Sequence, residues 1–159
     1  MTPLIANAHR ATAPYDWQAL LDLIQAEFAF MDGRIDPPSS MHRLTASDIA
    51  QQAQDEEIWV IGAPPVACIF LTRKGTRLYL GKLAVAADHR RSGLARALVG
   101  LAEERARTLG LSELELQVRV ELDENQRAFA AMGFTETGRT AHKGYDRPTS
   151  ITMCRPVVA

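Results

Sequence analysis

The sequence has little of three things that narrow a protein's role quickly: cysteine, long apolar runs, and a surplus of one charge. Two cysteines in 159 residues are too few for a disulfide scaffold, and their spacing is not that of a zinc site. Both sit in apolar, strand-like contexts, VACIF around Cys68 and ITMCR around Cys154, which reads as two reduced core thiols. The four histidines are scattered along the chain, so spacing defines no metal site. No apolar run approaches the roughly 20 residues a bilayer-spanning helix needs. The opening stretch, MTPLIANAHRATAPYDW, lacks the charged start and continuous apolar core of a secretion signal. A cytoplasmic protein without a membrane partner is therefore expected. Eighteen Lys+Arg against nineteen Asp+Glu leave a net charge of −1, which argues against nucleic acid, whose binding rests on many uncompensated cations.

What is present suits an ordinary folded chain. Hydrophobic residues make up 47% and charged residues 23%, a globular rather than a disordered balance. The length fits one domain across residues 1–159. Leu4–Arg10 reads as a first strand ending before Pro14. From Asp16, Trp17, Leu20, Leu21, Ile24, Phe28 and Met31 recur at three- and four-residue steps and predict an amphipathic helix. Gly33 and Pro37-Pro38 end it. Thr45 or Ser47 caps a second helix running through Gln54. Ile58–Ile61, Val66–Thr72 and Leu78–Val85 then form a meander joined by Gly- and Pro-containing turns. Gly81, inside the third of these strands, marks a bulge or a close approach.

The longest predicted helix follows, with Leu94, Leu98, Leu101, Ala102, Ala106 and Leu109 as its buried stripe and Gly110 as its stop. Leu114–Val120 alternates apolar with polar residues, as a half-buried strand does. A short helix starts at Asp123 or Asn125 and ends at Gly133. Phe134–Ala141 and Thr149–Arg155 complete the chain as a hairpin with a long loop, His142–Pro148. The expected class is α/β, a mixed sheet with helical layers.

Chemistry concentrates where Lys82-Leu-Ala-Val85 leads through Arg90-Arg-Ser-Gly-Leu-Ala95 into the long helix. A helix start presents amides without intrahelical partners, and the positive end of the helix dipole lies with them. Together they suit an anion. Gly93 and Ala95 let a phosphate approach the backbone, Ser92 can cap, and Arg90, Arg91 and Arg96 bring three guanidinium groups to the same place. A dinucleotide fingerprint and a Walker loop are both absent from the sequence.

Arg90-x-x-Gly93-x-Ala95, after a strand ending Leu-Ala-Val, resembles the acyl-CoA signature of the GNAT superfamily of N-acetyltransferases. Asn125-Gln-Arg-Ala-Phe129-Ala-Ala-Met-Gly133-Phe134 resembles that family's second block, and the order of elements matches its sheet. The resemblance implies a mostly antiparallel sheet of about seven strands, splayed between strands 4 and 5 and flanked by four helices. It implies acetyl-CoA as the acyl donor, a small-molecule or protein amine as acceptor, direct attack by the unprotonated amine, and frequent homodimers. Carried over by position, Leu83, Ala84 and Val85 would bond the pantetheine arm through their main chains. The amides from Arg91 through Arg96, Leu94 included, would hold the pyrophosphate. Asn125 would contact the arm, and Ala128 and Phe129 would line the cleft near the thioester.

One position departs from the pattern. Many members carry, four residues before the Gly-Phe pair, a tyrosine that protonates the departing thiolate; here it is Phe129. Tyr79 is the candidate replacement, with His142 and Tyr145 behind it. Lys82 reads as a solvated or paired strand lysine. In such proteins the segment between the first two helices shapes the acceptor site. Here it offers Asp32 and Asp36 for a cationic acceptor and Arg34 for a carboxylate on it, or else ordinary turn and cap contacts. A CoA-binding regulatory module without turnover is the alternative that Phe129 leaves open.

Overall fold

The computed structural model describes residues 8–158, and its strands form a seven-stranded sheet in the order β1-β2-β3-β4-β5-β7-β6. The strands are β1 (His9–Arg10), β2 (Glu57–Ile61), β3 (Ala67–Lys74), β4 (Arg77–Val85), β5 (Glu113–Arg119), β6 (Thr135–Thr140) and β7 (Ser150–Pro156). The helices are α1 (Trp17–Ala29), α2 (Ala46–Asp55), α3 (Leu94–Leu109) and α4 (Asp123–Ala131). Every neighbouring pair is antiparallel except β4 and β5. The expected order of elements and the mixed, mostly antiparallel sheet are what the chain adopts. Of the expected first strand, residues 4–7 lie outside the described residues.

Local signals explain the helix boundaries. Asp16 caps α1, its carboxylate accepting from the Ala19 amide at 3.1 Å. The helix stops at Ala29, short of the expected Met31, and turns through Gly33 at φ +83°. Thr45, rather than Ser47, caps α2. Its hydroxyl accepts from the Asp48 amide at 3.1 Å and the Asp48 carboxylate accepts from the Thr45 amide at 3.0 Å, a reciprocal capping box. Gly110 ends α3 in the left-handed region. The buried stripe of α3 is Leu94, Leu98, Val99, Ala102 and Ala106. Val99 replaces the expected Leu101 and Leu109, which stay partly buried at the margin.

Each face of the sheet carries its own apolar layer. Leu78, Leu80, Leu114, Leu116 and Phe134 pack under α3, while Ile58, Val60, Cys68, Phe70 and Ala84 pack under α1 and α2. Strict alternation along β4 would send Leu83 to the α1/α2 side. The register between β3 and β4 instead shifts between Cys68↔Ala84 and Phe70↔Gly81. That shift inserts one extra residue on β4, a bulge. The bulged residue is Lys82 at φ +47°, not the expected Gly81. Lys82 then lies over Phe70 on the α1/α2 side, while Leu83 joins the α3 layer.

Candidate active-site cleft

Parallel pairing between β4 and β5 lasts for three residue pairs, Arg77↔Glu113, Leu78↔Leu114 and Tyr79↔Glu115, and then stops. From Leu80 onward the strands diverge. Their closed end is fixed electrostatically. Arg77 donates to Glu113 at 2.9 Å and to Glu115 at 2.8 Å, and Lys74 of β3 donates to the other Glu115 oxygen at 2.8 Å. Burial alone would raise the pKa of Glu115, which is only 2% exposed. The Lys74 and Arg77 hydrogen bonds outweigh that and hold it below the usual carboxylate range.

The divergence opens a cleft of about 910 Å³ lined by β4, β5, α4, the start of α3 and the chain after α1. The Ala86 amide donates to the Val66 carbonyl at 2.7 Å, and antiparallel ladders alternate in direction. Ala84 therefore turns its main chain toward Cys68 on β3, whereas Leu83 and Val85 turn theirs to the open edge. Leu83 and Val85 line the cleft; Ala84 is buried and does not. The expectation that Ala84 offers main-chain bonds to the cleft is corrected by this phase.

At the start of α3, Arg91 (φ +64°) and Gly93 (φ +83°) both take left-handed backbone. Gly93 is the N-cap, and no side chain caps the helix. Ser92 does not cap as expected, because its hydroxyl donates to the His89 carbonyl. Among the described residues the first amides of α3 thus have no capping side chain, and Gly93, Leu94, Ala95 and Arg96 line the cleft. A Cβ on Gly93 would meet nothing within 4 Å. Within the chain itself, the glycine is required by its positive φ. Arg91 and Arg96 make no ion pair among the described residues, while Arg90 pairs with Glu27 at 2.7 Å. Arg90 also stacks on Phe30, 4.8 Å from the ring centroid.

On the facing wall, Asn125, Ala128 and Phe129 line the cleft. Phe129 packs edge-on to Phe134 at 5.9 Å. Tyr79 lines it too, its ring covering Gly81, where a Cβ would stand 3.4 Å from the ring. Burial, then Glu115, push its hydroxyl pKa up. Asp32 and Asp36 do not line the cleft. Asp32 pairs with His42 at 2.8 Å. Asp36 accepts from Tyr145 at 2.6 Å and from Arg147 at 3.2 Å. Arg34 reaches the cleft but is held by both Glu124 oxygens, at 2.6 and 2.9 Å, and that hydrogen bonding lowers Glu124 to about 2.

Two other wall residues were less legible. Arg119 carried no signal in the sequence; it donates to the Pro37 carbonyl at 2.6 Å and the Pro38 carbonyl at 3.3 Å. His142, which the sequence ranked behind Tyr79, lines the cleft and engages Thr149 Oγ1 through both its backbone amide and Nδ1. Arg119 depends on chain segments that meet only in three dimensions, whereas the His142 partner lies across the same hairpin loop.

Residues 17–134 match the acetyltransferase (GNAT) family. No curated protein sequence matches significantly. Among solved structures, the fold is similar to the PaiA N-acetyltransferase of Thermoplasma acidophilum in complex with coenzyme A, with a TM-score of 0.79 at 12% identity over 94% of this chain and 97% of that one. It is similar to a GNAT-family acetyltransferase of Staphylococcus aureus, with a TM-score of 0.74 at 15% identity over 96% and 99%. It is similar also to the ribosomal-protein-S18-alanine N-acetyltransferase of Escherichia coli, with a TM-score of 0.69 at 19% identity over 96% and 95%. These likenesses are of fold, and the family match spans most of the chain. With the parallel pair that parts after Tyr79 and the uncapped α3 start opening on the same cleft, they make this chain a member of the GNAT acetyltransferase family.

Proposed function

We propose that this protein is an acetyl-CoA-dependent N-acetyltransferase that modifies a small-molecule or protein amine. The observation that carries the reading is that the free amides of α3 and the unpaired edge of β4 border one cleft. The residues fit a CoA ester. Arg91, Arg96 and the amides of Gly93 through Arg96 would hold its phosphates, and the main chains of Leu83 and Val85 would pair with its amide-bearing arm. Asn125, Ala128 and Phe129 would border that arm. One of the similar folds is in complex with coenzyme A, which supports the choice of this donor. The bound ester supplies an activated acyl carbon.

This chain's residues then orient an amine and move protons. The nitrogen–carbon bond forms as the carbon–sulfur bond breaks, the amine loses a proton and the sulfur gains one. His142 is the proton acceptor in this reading. Thr149 directs its hydroxyl at the Thr140 carbonyl, 3.4 Å away, so Nδ1 carries the ring proton toward Thr149 Oγ1 and Nε2 is left basic. Burial, then the Arg119 charge, lower the His142 pKa, partly opposed by Glu121, so the ring is neutral at pH 7. Tyr79 is the proton donor, since its raised pKa keeps the hydroxyl protonated. Unpaired amides of the β4 edge would stabilise negative charge on the carbonyl oxygen.

Calorimetric titration with acetyl-CoA and thiol release over an amine panel test the proposal. Binding that Arg96→Ala weakens by about tenfold, with release on at least one amine, supports it. Activity should rise with pH through a value below 6.5, and His142→Gln should remove that rise. Binding without release on any amine favours the non-catalytic module instead, a reading kept in view by the absence of a hydroxyl on Phe129.

A further inference from the structure

Resting on the acyltransferase reading, one side chain in the cleft remains without an assigned role. Lys82 is the bulged residue of β4 and turns inward just beyond the last β4–β5 pair. Its ammonium stands 4.9 Å from the centroid of the Phe70 ring and 3.3 Å from Gln52 Oε1 on α2, and it lines the cleft. Among the described residues it makes no ion pair. Burial holds its pKa below the ordinary lysine value, partly opposed by Glu56, Cys68 and Asp48 from farther away; the two carboxylates accept from the Thr72 hydroxyl and the Thr45 amide and lie outside the lining of the cleft. Two of its three donors face Gln52 and the ring, which leaves one for the cleft.

The two carboxylates that line the cleft are already matched. Glu27 holds Arg90 and Glu124 holds Arg34, so the guanidinium that the sequence offered to an acceptor carboxylate is occupied. Asp32 and Asp36 lie outside the lining. A cationic acceptor such as a polyamine would therefore meet Lys82 with no unpaired carboxylate among the residues that line the cleft. We infer that the acceptor is an amine that itself carries a carboxylate, an amino acid or a peptide with a free C-terminus, and that Lys82 pairs with that carboxylate. The bulge is what makes this possible: strict alternation would have turned residue 82 to the α3 side and buried its charge among leucines.

The test compares amino acids and dipeptides with their own amides as acceptors, in the presence of acetyl-CoA. The free carboxylate should be preferred in kcat/KM by roughly ten- to a hundredfold, the range of one charge-assisted hydrogen bond. Lys82→Gln and Lys82→Met should bring the preference close to unity, and Lys82→Arg should retain a good part of it. Melting curves on the same samples establish that the variants are folded. Equal or better turnover of the amides by the wild type overturns the inference, as does a preference that survives Lys82→Gln. Both outcomes leave the acyltransferase reading standing. Failure of the wild type to bind acetyl-CoA, or binding without turnover of any amine, removes that reading and this inference together.

Discussion

Cys68 and Lys82 meet at the β4 bulge, and the cysteine has a structural task there. Its thiol donates to the Lys82 carbonyl at 3.4 Å, a group the interrupted ladder would otherwise leave unpaired. Complete burial pushes its pKa up to about 12, partly offset by the Ala84 backbone and by Lys82. The thiol is therefore inert at neutral pH, as expected of a core cysteine. The raised value also fixes a pH dependence. A group held protonated in the fold contributes fully below its unfolded value near 9 and loses that contribution as pH climbs toward 12. Cys68→Ala should cost about 1–2 kcal/mol at pH 7. In urea titrations that gap should narrow by about 1 kcal/mol between pH 8 and pH 10. A gap that does not change with pH would contradict the assignment.

At the scale of elements, the angle between β4 and β5 is set by where their pairing ends, and Glu115 marks that point. The carboxylate lies on β5 opposite Tyr79 and joins cations from β3 and β4 at a buried place. Its lowered pKa means that its contribution is present above the ordinary glutamate value and is lost as pH falls below it. Lys74 and Arg77 are themselves partly exposed and can rehydrate, so the full penalty of a broken buried pair does not apply. Glu115→Ala should lower stability by about 2 kcal/mol and, by loosening the closed end, weaken acetyl-CoA binding as well. A variant that melts normally and binds normally would show that the β3–β4–β5 backbone ladder alone sets the splay.

Across the whole molecule, the segment after α1 crosses the open end of the cleft and is tied to elements distant in sequence. Arg34 binds Glu124 on α4, and the Asp36 amide binds Glu121 at 3.1 Å. Arg119 holds the carbonyls of Pro37 and Pro38, and Tyr145 with Arg147 hold the Asp36 carboxylate. These contacts are mostly exposed, so each adds little to stability; their joint effect is on position. Phe30, 56% exposed, sits at the mouth with the guanidinium groups of Arg34 and Arg90 5.8 and 4.8 Å from its ring centroid. Asp36→Ala should raise acceptor KM about three- to tenfold with a change in stability under about 1 kcal/mol. Initial rates on acceptors of different charge decide the cause. A uniform rise fits a loosened strap, whereas a rise confined to cationic amines restores Asp36 as a direct contact.

The sequence by itself determined the elements and the turn that opens α3. Those rest on periodicity, capping residues and a glycine at positive φ, all local in the chain. The place of Gly93, Arg91 and Arg96 at that turn was legible for that reason, as was the Thr45 cap of α2. The acceptor side was not. Whether Asp36 faces a substrate or Tyr145 depends on two loops more than a hundred residues apart. Likewise Ala84 is withdrawn from the cleft by a ladder phase that only pairing with β3 defines, and Lys82 enters it because one inserted residue reverses which way its side chain points. Such choices follow from register and from long-range ion pairing, and neither has a signature in the composition or in the spacing along a single strand.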